Sequence, residues 1–365
     1  MITIKSEELS KALNIVTKAV SQNTVTPILN NILFDASEKF VKMNTTNYEI
    51  SIEYKIPVTS KVKFKTTIPA DILSRLSSRL YDDSIKMEYE NNEIKVITKN
   101  SNNKISCIQA DEYPLLDRPK GKYITASIKK LRDAVMRVEY AARKSDKTSL
   151  LFGTQLLTEG SNLSIISMDG NRLSYDSILV KNKDKVKMDS IVKSSTLEIA
   201  TRILDSNDSD DVKIYSSKDQ VHFVAKNIII ACQIIDGNMP DYKQLVPKEK
   251  AKIIVSIDTV KLLRACNQLE VFMDTVNYIS LDVNLKNIKM FTVKQQRGDS
   301  EITLNANIKS SNEINIRLNL FFIKQFLEVC SSENIVIELT EDKRPVVFKM
   351  ENNKKHFYIV MPMAV

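Results

Sequence analysis

The feature that most constrains this chain of 365 residues is an internal repeat. Residues 2–20, 123–142 and 253–272 each have the pattern of a short strand followed by an amphipathic helix. Apolar residues recur at steps of three and four, which places them on one buried stripe of each helix. The copies lie roughly 120 to 130 residues apart, about the length of one domain. The equivalent apolar pairs are Leu9 and Ala12, Leu131 and Ala134, and Leu262 and Ala265.

Each copy also contains a second helical pattern and a hairpin pattern. The second helices are predicted at residues 69–80, 194–204 and 318–330. Alternating runs follow them at residues 84–98, 211–225 and 334–350. Such alternation around polar turn residues predicts half-buried antiparallel strands. The chain is therefore predicted to be an α+β protein of three repeated domains, 1–122, 123–250 and 251–365, each with two helices packed on antiparallel sheets.

Composition argues against several classes of protein. With 43% hydrophobic and 27% charged residues, the chain is typical of a globular protein rather than a disordered one. No stretch approaches the length of a membrane span and the first residues lack a signal-peptide core, so we expect no membrane association and a cytoplasmic location. The cysteines, Cys107, Cys232, Cys266 and Cys330, are too scattered for a zinc or redox motif, and we expect free thiols.

Few residues suggest catalysis. The two histidines lie in strand-like stretches, and the six glycines form no phosphate-binding or nucleophile-elbow pattern. Acid–base or metal chemistry at the pairs Asp169-Gly170 and Asp236-Gly237 is one alternative, although Asp-Gly favours a tight turn. A monomeric repeat scaffold that binds acidic proteins is another, because the net charge is +8. We expect no catalytic residue and no bound metal or cofactor.

Four motifs indicate a family. They are VTPILNNILF at residues 25–34, MDGNRLSYDS at 168–177, IIDGNMPDYKQLVP at 234–247 and VMPM at 360–363. In this order and at this spacing, the whole chain resembles the β subunit of bacterial DNA polymerase III, the sliding-clamp family. The resemblance implies the DNA-clamp fold, with two chains joined head to tail in a six-domain ring around duplex DNA. It also implies a processivity factor without catalytic activity or cofactor.

The resemblance further implies where two protomers meet. Domain 1 would contribute the strand that contains Asn103 and Ile105, and domain 3 would contribute Val271, Val276 and the strand near residues 299–307. Pairing of these edges would close the ring and cover backbone groups that would otherwise promote aggregation. An ordinary internal strand near residue 105 is the alternative.

A ring that slides on DNA needs diffuse positive charge rather than base-specific contacts. Residues 127–147 contain seven basic and three acidic residues, and their apolar residues can pack on a sheet while the basic ones face away. A solvated helix face is the alternative explanation of this charge run. With the resemblance, the residues predicted to face sequence-independent duplex DNA are Arg75, Arg79, Lys129, Lys130, Arg132, Arg137, Arg143, Lys144 and Lys193.

A second implied surface is a pocket between domains 2 and 3 for extended peptides that combine a glutamine with bulky apolar residues. The implied partners are the α subunit of the replicative polymerase, the clamp loader and other proteins with such a motif. Flexible thioethers suit a receptor for several different apolar side chains. The matching positions are Leu151, Met168, Gly170, Asn171, Arg172, Leu173, Pro240, Leu245, Asn319, Phe322, Pro345, Val360, Met361, Pro362 and Met363.

Four positions of this pocket depart from the residues that are common in the family. Met168 replaces a small hydroxyl residue, Asn171 a histidine, Phe322 a tyrosine and Ala364 an arginine. The first two change polarity and volume at one wall, the third removes a hydroxyl donor and the fourth removes a charge from the rim. We therefore expect a preference for more apolar peptides.

Overall fold

The computed structural model describes residues 1–21, 26–58, 60, 62–144, 150–206, 209–273, 277–293, 298–310, 312–341 and 343–363. These residues form six α-helices, and all six were predicted from the repeat. The helices are α1 (Ser6–Val16), α2 (Ala70–Ser77), α3 (Ile128–Met136), α4 (Ser194–Asp205), α5 (Thr259–Glu270) and α6 (Leu320–Glu328). Helix α1 packs against α2, and α5 packs against α6.

A short strand precedes the first helix of each repeat, as the sequence predicts. The three strands are β1 (Ile2–Lys5), β9 (Ile124–Ser127) and β17 (Ile253–Asp258). On α1 the residues Leu9, Ala12, Leu13 and Val16 are each no more than 1% exposed. The apolar stripe therefore faces the interior of the fold.

The chain forms two compact units, and the first contains residues 1–129, 181–186 and 199–234. Its further strands are β2 (Asn31–Ala36), β3 (Phe40–Thr46), β4 (Ile50–Pro57), β5 (Phe64–Pro69), β6 (Ser84–Glu90), β7 (Glu93–Ile97), β8 (Asn102–Ser106), β14 (Asp211–Ser216), β15 (Gln220–Ala225) and β16 (Ile228–Gln233). Eight of its strands form an antiparallel sheet in the order β5-β2-β3-β4-β16-β15-β14-β9. The other four form the sheet β1-β6-β7-β8.

The second unit contains residues 130–180, 187–198 and 235–365. Its further strands are β10 (Gly153–Glu159), β11 (Asn162–Met168), β12 (Arg172–Leu179), β13 (Asp189–Lys193), β18 (Tyr278–Val283), β19 (Asn287–Thr292), β20 (Glu301–Asn305), β21 (Asn307–Ser310), β22 (Ile314–Asn319), β23 (Asn334–Leu339), β24 (Val346–Met350) and β25 (Asn353–Val360). Nine strands form the sheet β13-β10-β11-β12-β25-β24-β23-β17-β21, and four form β20-β19-β18-β22.

The three predicted hairpins are confirmed as the antiparallel pairs β6-β7, β14-β15 and β23-β24. Asn91 and Asn92 connect β6 to β7 with φ values of 52° and 60°. Asparagine tolerates this left-handed backbone better than most residues, and two such residues form the tight turn that matches the twist of a hairpin. The polar centre of the alternating run is thus the turn itself.

Each large sheet combines strands of the middle repeat with strands of another repeat. Strand β4 pairs with β16, with Ile50 opposite Cys232, and β12 pairs with β25, with Arg172 opposite Val360. The two compact units therefore divide the middle repeat, because strand pairing assigns part of it to each unit. The domain boundaries near residues 122 and 250 stay predictions that rest on the repeat.

The expected free thiols are present. Cys232 and Cys266 are buried, Cys107 and Cys330 are half-buried, and all four are unpaired. Burial raises the pKa of Cys266 to about 12, so its thiol stays protonated at neutral pH. Cys232 and Cys266 thus behave as small apolar residues of the core.

Candidate functional site

The turn that begins at Asp169 joins β11 to β12. The carboxylate Oδ1 of Asp169 accepts hydrogen bonds from the backbone N–H groups of Asn171 (2.9 Å) and Arg172 (3.1 Å), and Oδ2 accepts one from Arg172 Nε (2.9 Å). Gly170 has φ of 97°, a left-handed value that favours glycine. Both carboxylate oxygens thus hold the turn, which favours the tight-turn interpretation over acid–base chemistry. No group of three or more His, Cys, Asp or Glu residues within the described ranges could hold a metal ion.

Arg172 is only 7% exposed and holds this turn from the interior of the fold. It donates through Nη2 to Tyr140 O (2.7 Å) and through Nη1 to the side-chain oxygen of Gln325. Its guanidinium carbon lies 4.1 Å from the centre of the Phe322 ring, a stacking contact that suits the planar cation. Because Gln325 and Phe322 belong to α6, these contacts fix the turn against that helix. Arg172 therefore supports the candidate peptide site rather than forming its surface.

The segment that follows β25 is held by two backbone hydrogen bonds. The N–H of Met361 donates to Asn171 O (2.9 Å), and the N–H of Met363 donates to Arg317 O (2.9 Å). Met361 and Met363 are nevertheless 40% and 42% exposed. Pro362 between them has a fixed φ, which lowers the entropy cost of ordering the segment. The structure thus presents two adaptable thioether side chains on a backbone that is held in place.

Several predicted pocket residues lie beneath the surface, among them Val360, which is 0% exposed. Met168 and Leu173 are 2% and 1% exposed, in an apolar cluster that also contains Tyr242 and Ile359. Leu151 is half-buried and packs against this cluster. A change at Met168 would therefore act on a peptide through packing under the site, and its effect on peptide preference stays a prediction.

A small cavity lies beside the Met361 segment. Its volume is about 280 Å³, and its lining includes Leu245, Val246 and Pro345. Pro345 directly precedes β24, where Val346 is the register partner of Val360, so the cavity is next to the point at which β25 ends. The exposed residues Pro240 and Leu245 come from the connection after β16. The structure thus brings several predicted pocket residues to one end of the nine-stranded sheet.

The side chain of Asn319 already makes hydrogen bonds within the fold. Its side-chain Oδ1 accepts hydrogen bonds from the N–H groups of Phe321 (2.9 Å) and Phe322 (3.3 Å), which caps α6. A free asparagine amide can offer both donors and an acceptor to a peptide. Because the oxygen already caps the helix, the amide N–H groups are what Asn319 can offer most readily.

Helix α3 has the amphipathic arrangement that the sequence predicts. Ile128 and Leu131 are buried, whereas Lys129 and Lys130 are exposed. Arg132 is half-buried, and its Nη2 is 2.9 Å from Asp133 Oδ1. Two lysines of this helix therefore present positive charge to the surroundings.

Arg137 is half-buried and ion-paired within the second unit, which argues against its prediction as a DNA-facing residue. Its Nε is 2.5 Å from Asp176 Oδ2, and the two side chains are 18% and 1% exposed. A buried carboxylate requires a paired cation, so the charge of Arg137 is used within the fold. The same region buries His356, whose Nε2 lies 3.2 Å from Arg137 O, and burial lowers the pKa of His356 to about 4.

Arg143 also lies elsewhere than its sequence neighbours suggest. Its Nη2 donates to Asp169 O (3.1 Å), and its backbone N–H donates to Leu151 O (2.8 Å). The sequence grouped Arg143 with the basic run of α3. The structure brings it instead to the Asp169 turn, beside the candidate peptide site.

The other basic candidates are at the surface of their own elements. Arg75 Nη2 lies 2.8 Å from Asp71 Oδ2 on the exposed side of α2. Arg79 and Lys144 are exposed, and Lys193 is half-buried at the end of β13. Their contact with DNA stays a prediction.

Sequence reasoning missed one basic groove in the first unit. It lies between α1 and the second half of α4, has a volume of about 650 Å³, and is lined by Lys11, Lys18 and Arg202 among other residues. Glu7 is its acidic lining residue. A count of charge along α1 and α4 does not reveal this groove, because it averages over all faces of a helix. The fold gathers three cations on one face.

The predicted seam strand is an edge strand. Strand β8 is at one edge of β1-β6-β7-β8, and β20 is at one edge of β20-β19-β18-β22. On β8, Asn103 is half-buried and Ile105 is 3% exposed, so a partner would meet the backbone edge of β8 rather than the Ile105 side chain. Val271 is 70% exposed after α5. Val276 lies outside the described residues.

Comparison with protein families gives three matches in tandem. Residues 1–117, 125–241 and 243–364 match the N-terminal, central and C-terminal domains of the DNA polymerase III beta subunit. A beta sliding clamp of Buchnera aphidicola is 26% identical over 98% of each chain. One from Staphylococcus aureus is 24% identical over 99% of this chain and 98% of the relative.

Solved structures show the same fold. The DNA polymerase sliding clamp of Bacillus subtilis superposes with a TM-score of 0.94 at 23% identity, covering 100% of this chain and 99% of that chain. The Pseudomonas aeruginosa sliding clamp bound to griselimycin gives a TM-score of 0.94 at 21% identity, with the same coverage. Separately, no helix in the described part of this chain is long and apolar enough to cross a membrane.

Proposed function

Because this chain belongs to the DNA polymerase III beta-subunit family, we propose that it is a sliding clamp that encircles duplex DNA as a homodimer. In this role it is a processivity factor without catalytic activity: it keeps the replicative polymerase on its template. The observation that carries the proposal is the tandem match of all three beta-subunit domains to residues 1–364.

Open strand edges support ring closure. Among the strands that the structure describes, β8 and β20 each have a neighbour on one side only, which leaves one row of backbone N–H and C=O groups without a strand partner. Pairing of β8 in one protomer with β20 in its partner would cover both rows and join the chains head to tail. Two such seams close a ring of two chains and six domains.

Positive charge on helices supports a sequence-independent contact with DNA. Lys129 and Lys130 of α3 are exposed, and Lys11, Lys18 and Arg202 line one groove. Lysine and arginine attract phosphates without reading bases, which lets a ring slide. We assign these residues, with Arg75, Arg79, Arg132, Lys144 and Lys193, to the DNA-facing surface.

The end of the nine-stranded sheet supports docking of partner peptides. The exposed thioethers of Met361 and Met363 lie near the Asn171 turn and the cavity at Leu245 and Pro345. Together they offer apolar side chains beside backbone hydrogen-bonding groups and the charged cavity residues Lys248, Glu249 and Arg344. Extended segments of the polymerase α subunit, the clamp loader and other replication or repair proteins would bind there. In the cell, a clamp loaded on DNA would be found in the cytoplasm with the nucleoid.

The experiment that tests this function is topological. Clamp loaded on nicked circular DNA should remain bound during gel filtration and should be lost once the DNA is linearised. Binding by charge alone would survive linearisation, and that result would contradict encirclement. Replacing Lys129 and Lys130 with glutamate should weaken retention and reduce its salt dependence.

A monomeric scaffold that binds acidic proteins is the alternative, and solution mass separates the two. The chain has a mass of 41.6 kDa, so a homodimer would be about twice that mass. A persistent monomer at micromolar concentration would contradict the ring.

A further inference from the structure

The first unit also contains a cavity with a volume of about 640 Å³. Its lining comes from β1, α1, the end of β4 and the turn between β15 and β16. This turn is fixed against β4, because the N–H of Lys55 donates to Asn227 O at 2.9 Å. The volume is within the range of small-molecule sites, roughly 300 to 1,000 Å³. Four elements of one unit thus form a cavity that is large enough for a small ligand.

Lysines give the lining of this cavity a positive charge. Lys5 and Lys226 are exposed, and among the residues that the structure describes neither side chain forms a hydrogen bond or an ion pair. Lys11 also lines the cavity, but it already interacts within the fold. The acidic residue of the lining is Glu8. Lys5 and Lys226 are therefore the two cations that can bind the phosphates of a ligand.

The lining also offers hydrogen-bond acceptors. Asn227 Oδ1 is buried and has no hydrogen-bond partner among the described residues. A buried acceptor without a partner costs free energy, which a ligand with an O–H or N–H donor would recover. The half-buried carboxylate of Glu8 likewise forms no hydrogen bond or ion pair within the described ranges. Carboxylates of this kind accept hydrogen bonds from ribose hydroxyls in nucleotide sites.

Apolar surface completes the lining. It comes from Pro57, which is exposed, and Val58, which is half-buried, at the end of β4. Ligand sites commonly combine such surface with a few polar groups that fix the orientation of the ligand. A nucleoside diphosphate has a part for each group: charged phosphates, ribose hydroxyls and a base with apolar faces. Inorganic phosphate and sugar phosphates lack the base, and a nucleoside lacks the charge.

We propose that this cavity is a binding site for a nucleoside diphosphate. The two exposed lysines bind the phosphates, Asn227 and Glu8 accept hydrogen bonds from the ribose, and the end of β4 supports the base. This site is independent of ring closure and of peptide docking. Its failure would therefore leave the sliding-clamp function in place.

Isothermal titration calorimetry of the full chain tests the proposal with three probes. They are ADP, adenosine and inorganic pyrophosphate, each in about 50 mM salt so that charge screening is weak. ADP should bind roughly tenfold more tightly than either of the other two. Adenosine lacks the phosphates that the lysines bind, and pyrophosphate lacks the ribose and the base.

Two variants separate the parts of the site. Lys226→Glu should weaken the binding of both ADP and pyrophosphate roughly tenfold, because it replaces an attraction with a repulsion. Asn227→Leu removes the buried acceptor at nearly constant volume, so it should weaken ADP roughly fivefold and leave pyrophosphate unchanged.

Lys65→Glu is the matched control for the charge reversal. Lys65 is exposed on β5, three strands from β4 in the same sheet, or roughly 14 Å at about 4.8 Å per strand. This variant should bind all three probes as wild type does. Thermal unfolding of each variant checks that the fold is intact.

Each possible result decides the proposal. An ADP preference that Lys226→Glu and Asn227→Leu reduce in these different ways would establish the site. Equal affinities of wild type for ADP and pyrophosphate would overturn it, because attraction of any anion to lysine would then explain the binding. A loss in Lys65→Glu as large as that in Lys226→Glu would overturn it in favour of general surface charge. Absence of any heat of binding with millimolar ADP would also overturn it.

Discussion

The molecule has two junctions at which a strand of the middle repeat pairs with a strand of another repeat, β4 with β16 and β12 with β25. The two junctions have the same hydrogen bonds to the backbone but different side chains. In the first unit, Asn47 Oδ1 accepts from the N–H groups of Glu49 (3.0 Å) and Ile50 (2.9 Å), and the N–H of Gln233 donates to Glu49 O (2.9 Å). The same three bonds occur in the second unit at the turn that begins with Asp169. The repeat therefore specifies the backbone of both junctions.

The side chains make the junctions different. Ile50 is a 2% exposed core residue, whereas Arg172 at the corresponding place is an ionic anchor. After Gln233 the chain stays bonded to its own unit through the N–H of Ile234, whereas Met361 and Met363 present exposed thioethers. At the first junction the bonds described lie within the fold, whereas the second junction carries the exposed methionines of the proposed peptide site. Candidate function thus lies where one copy of the repeat differs from the other.

The largest expected effect comes from removing the exposed methionines. Ending the chain at Val360 should abolish binding of partner peptides, because it deletes both thioethers and the backbone that carries them. The double variant Met361→Ala, Met363→Ala keeps the backbone and should lose roughly tenfold in affinity. Anisotropy measures both, and gel filtration should show an unchanged dimer. Loss of the dimer in the shorter chain would mean that this segment is structural, as at the other junction.

The second effect comes from removing the ion pair between Arg172 and Asp169. Arg172→Met should lower the free energy of unfolding by about 3 kcal/mol, because it leaves Asp169 without its cation. Ile50→Met conserves volume at the corresponding place and should cost less than about 1.5 kcal/mol. Urea unfolding compares the two. Adding Asp169→Asn to Arg172→Met should recover part of the loss, and equal costs at the two junctions would refute the difference in their chemistry.

The third effect depends on pH and comes from His356, which lies four residues before Val360. At the other junction the corresponding residue, four before Cys232, is Ile228, which cannot be protonated. Burial lowers the pKa of His356 to about 4 from an ordinary 6.5. Between these values the unfolded chain binds a proton that the folded chain excludes. The contribution of neutral His356 to the free energy of unfolding is therefore fully present above pH 6.5. It is lost as the pH falls toward 4, and the loss is about 2 kcal/mol at pH 5.

The matching variant is His356→Gln, which has no imidazole to protonate. Its free energy of unfolding should change less between pH 7 and pH 5 than that of wild type. An identical pH dependence in both proteins would assign the effect to other groups, among them His222, whose pKa burial also lowers.

The smallest effect concerns the turns themselves. Tyr48 has φ of 68°, and Gly170, at the same place in the other turn, has φ of 97°. Gly170→Ala should therefore cost about 1 kcal/mol of stability, and Tyr48→Gly should change it by less than about 0.5 kcal/mol, because relief of strain offsets the greater freedom of the unfolded chain. Denaturant midpoints measure both. A neutral Gly170→Ala would show that the two turns tolerate side chains equally.

Much of the fold was predictable because it is local. Leu9, Ala12 and Leu13 show the helical period within a few residues, and Asn91 and Asn92 mark a tight turn directly in the sequence. The pairing of β4 with β16 and of β12 with β25 was not predictable in this way. These strands are far apart in the sequence, and no local pattern reports which strand will lie beside which.

The candidate site was predictable only in part. Met361 and Met363 were identified through the family motif, and the structure shows them exposed. The ion pair of Arg137 was not predictable, because its partner, Asp176, is 39 residues away. Arg143 was grouped with α3 because charge along a sequence does not show which way the chain turns. Burial and pairing decide what a basic residue does, and both depend on the tertiary fold.

The position of β25 has a consequence for how the second unit assembles. Strands β13, β10, β11 and β12 come from one stretch of the chain, and β24, β23, β17 and β21 come from another; β25 joins the two groups at the middle of the sheet. Each group can form early from neighbouring segments, but β12 keeps an open edge until β25 arrives from roughly half a chain length away. During that interval the β25 of another copy could fill the gap. Strand exchange between chains is thus a misfolding route that this strand order permits.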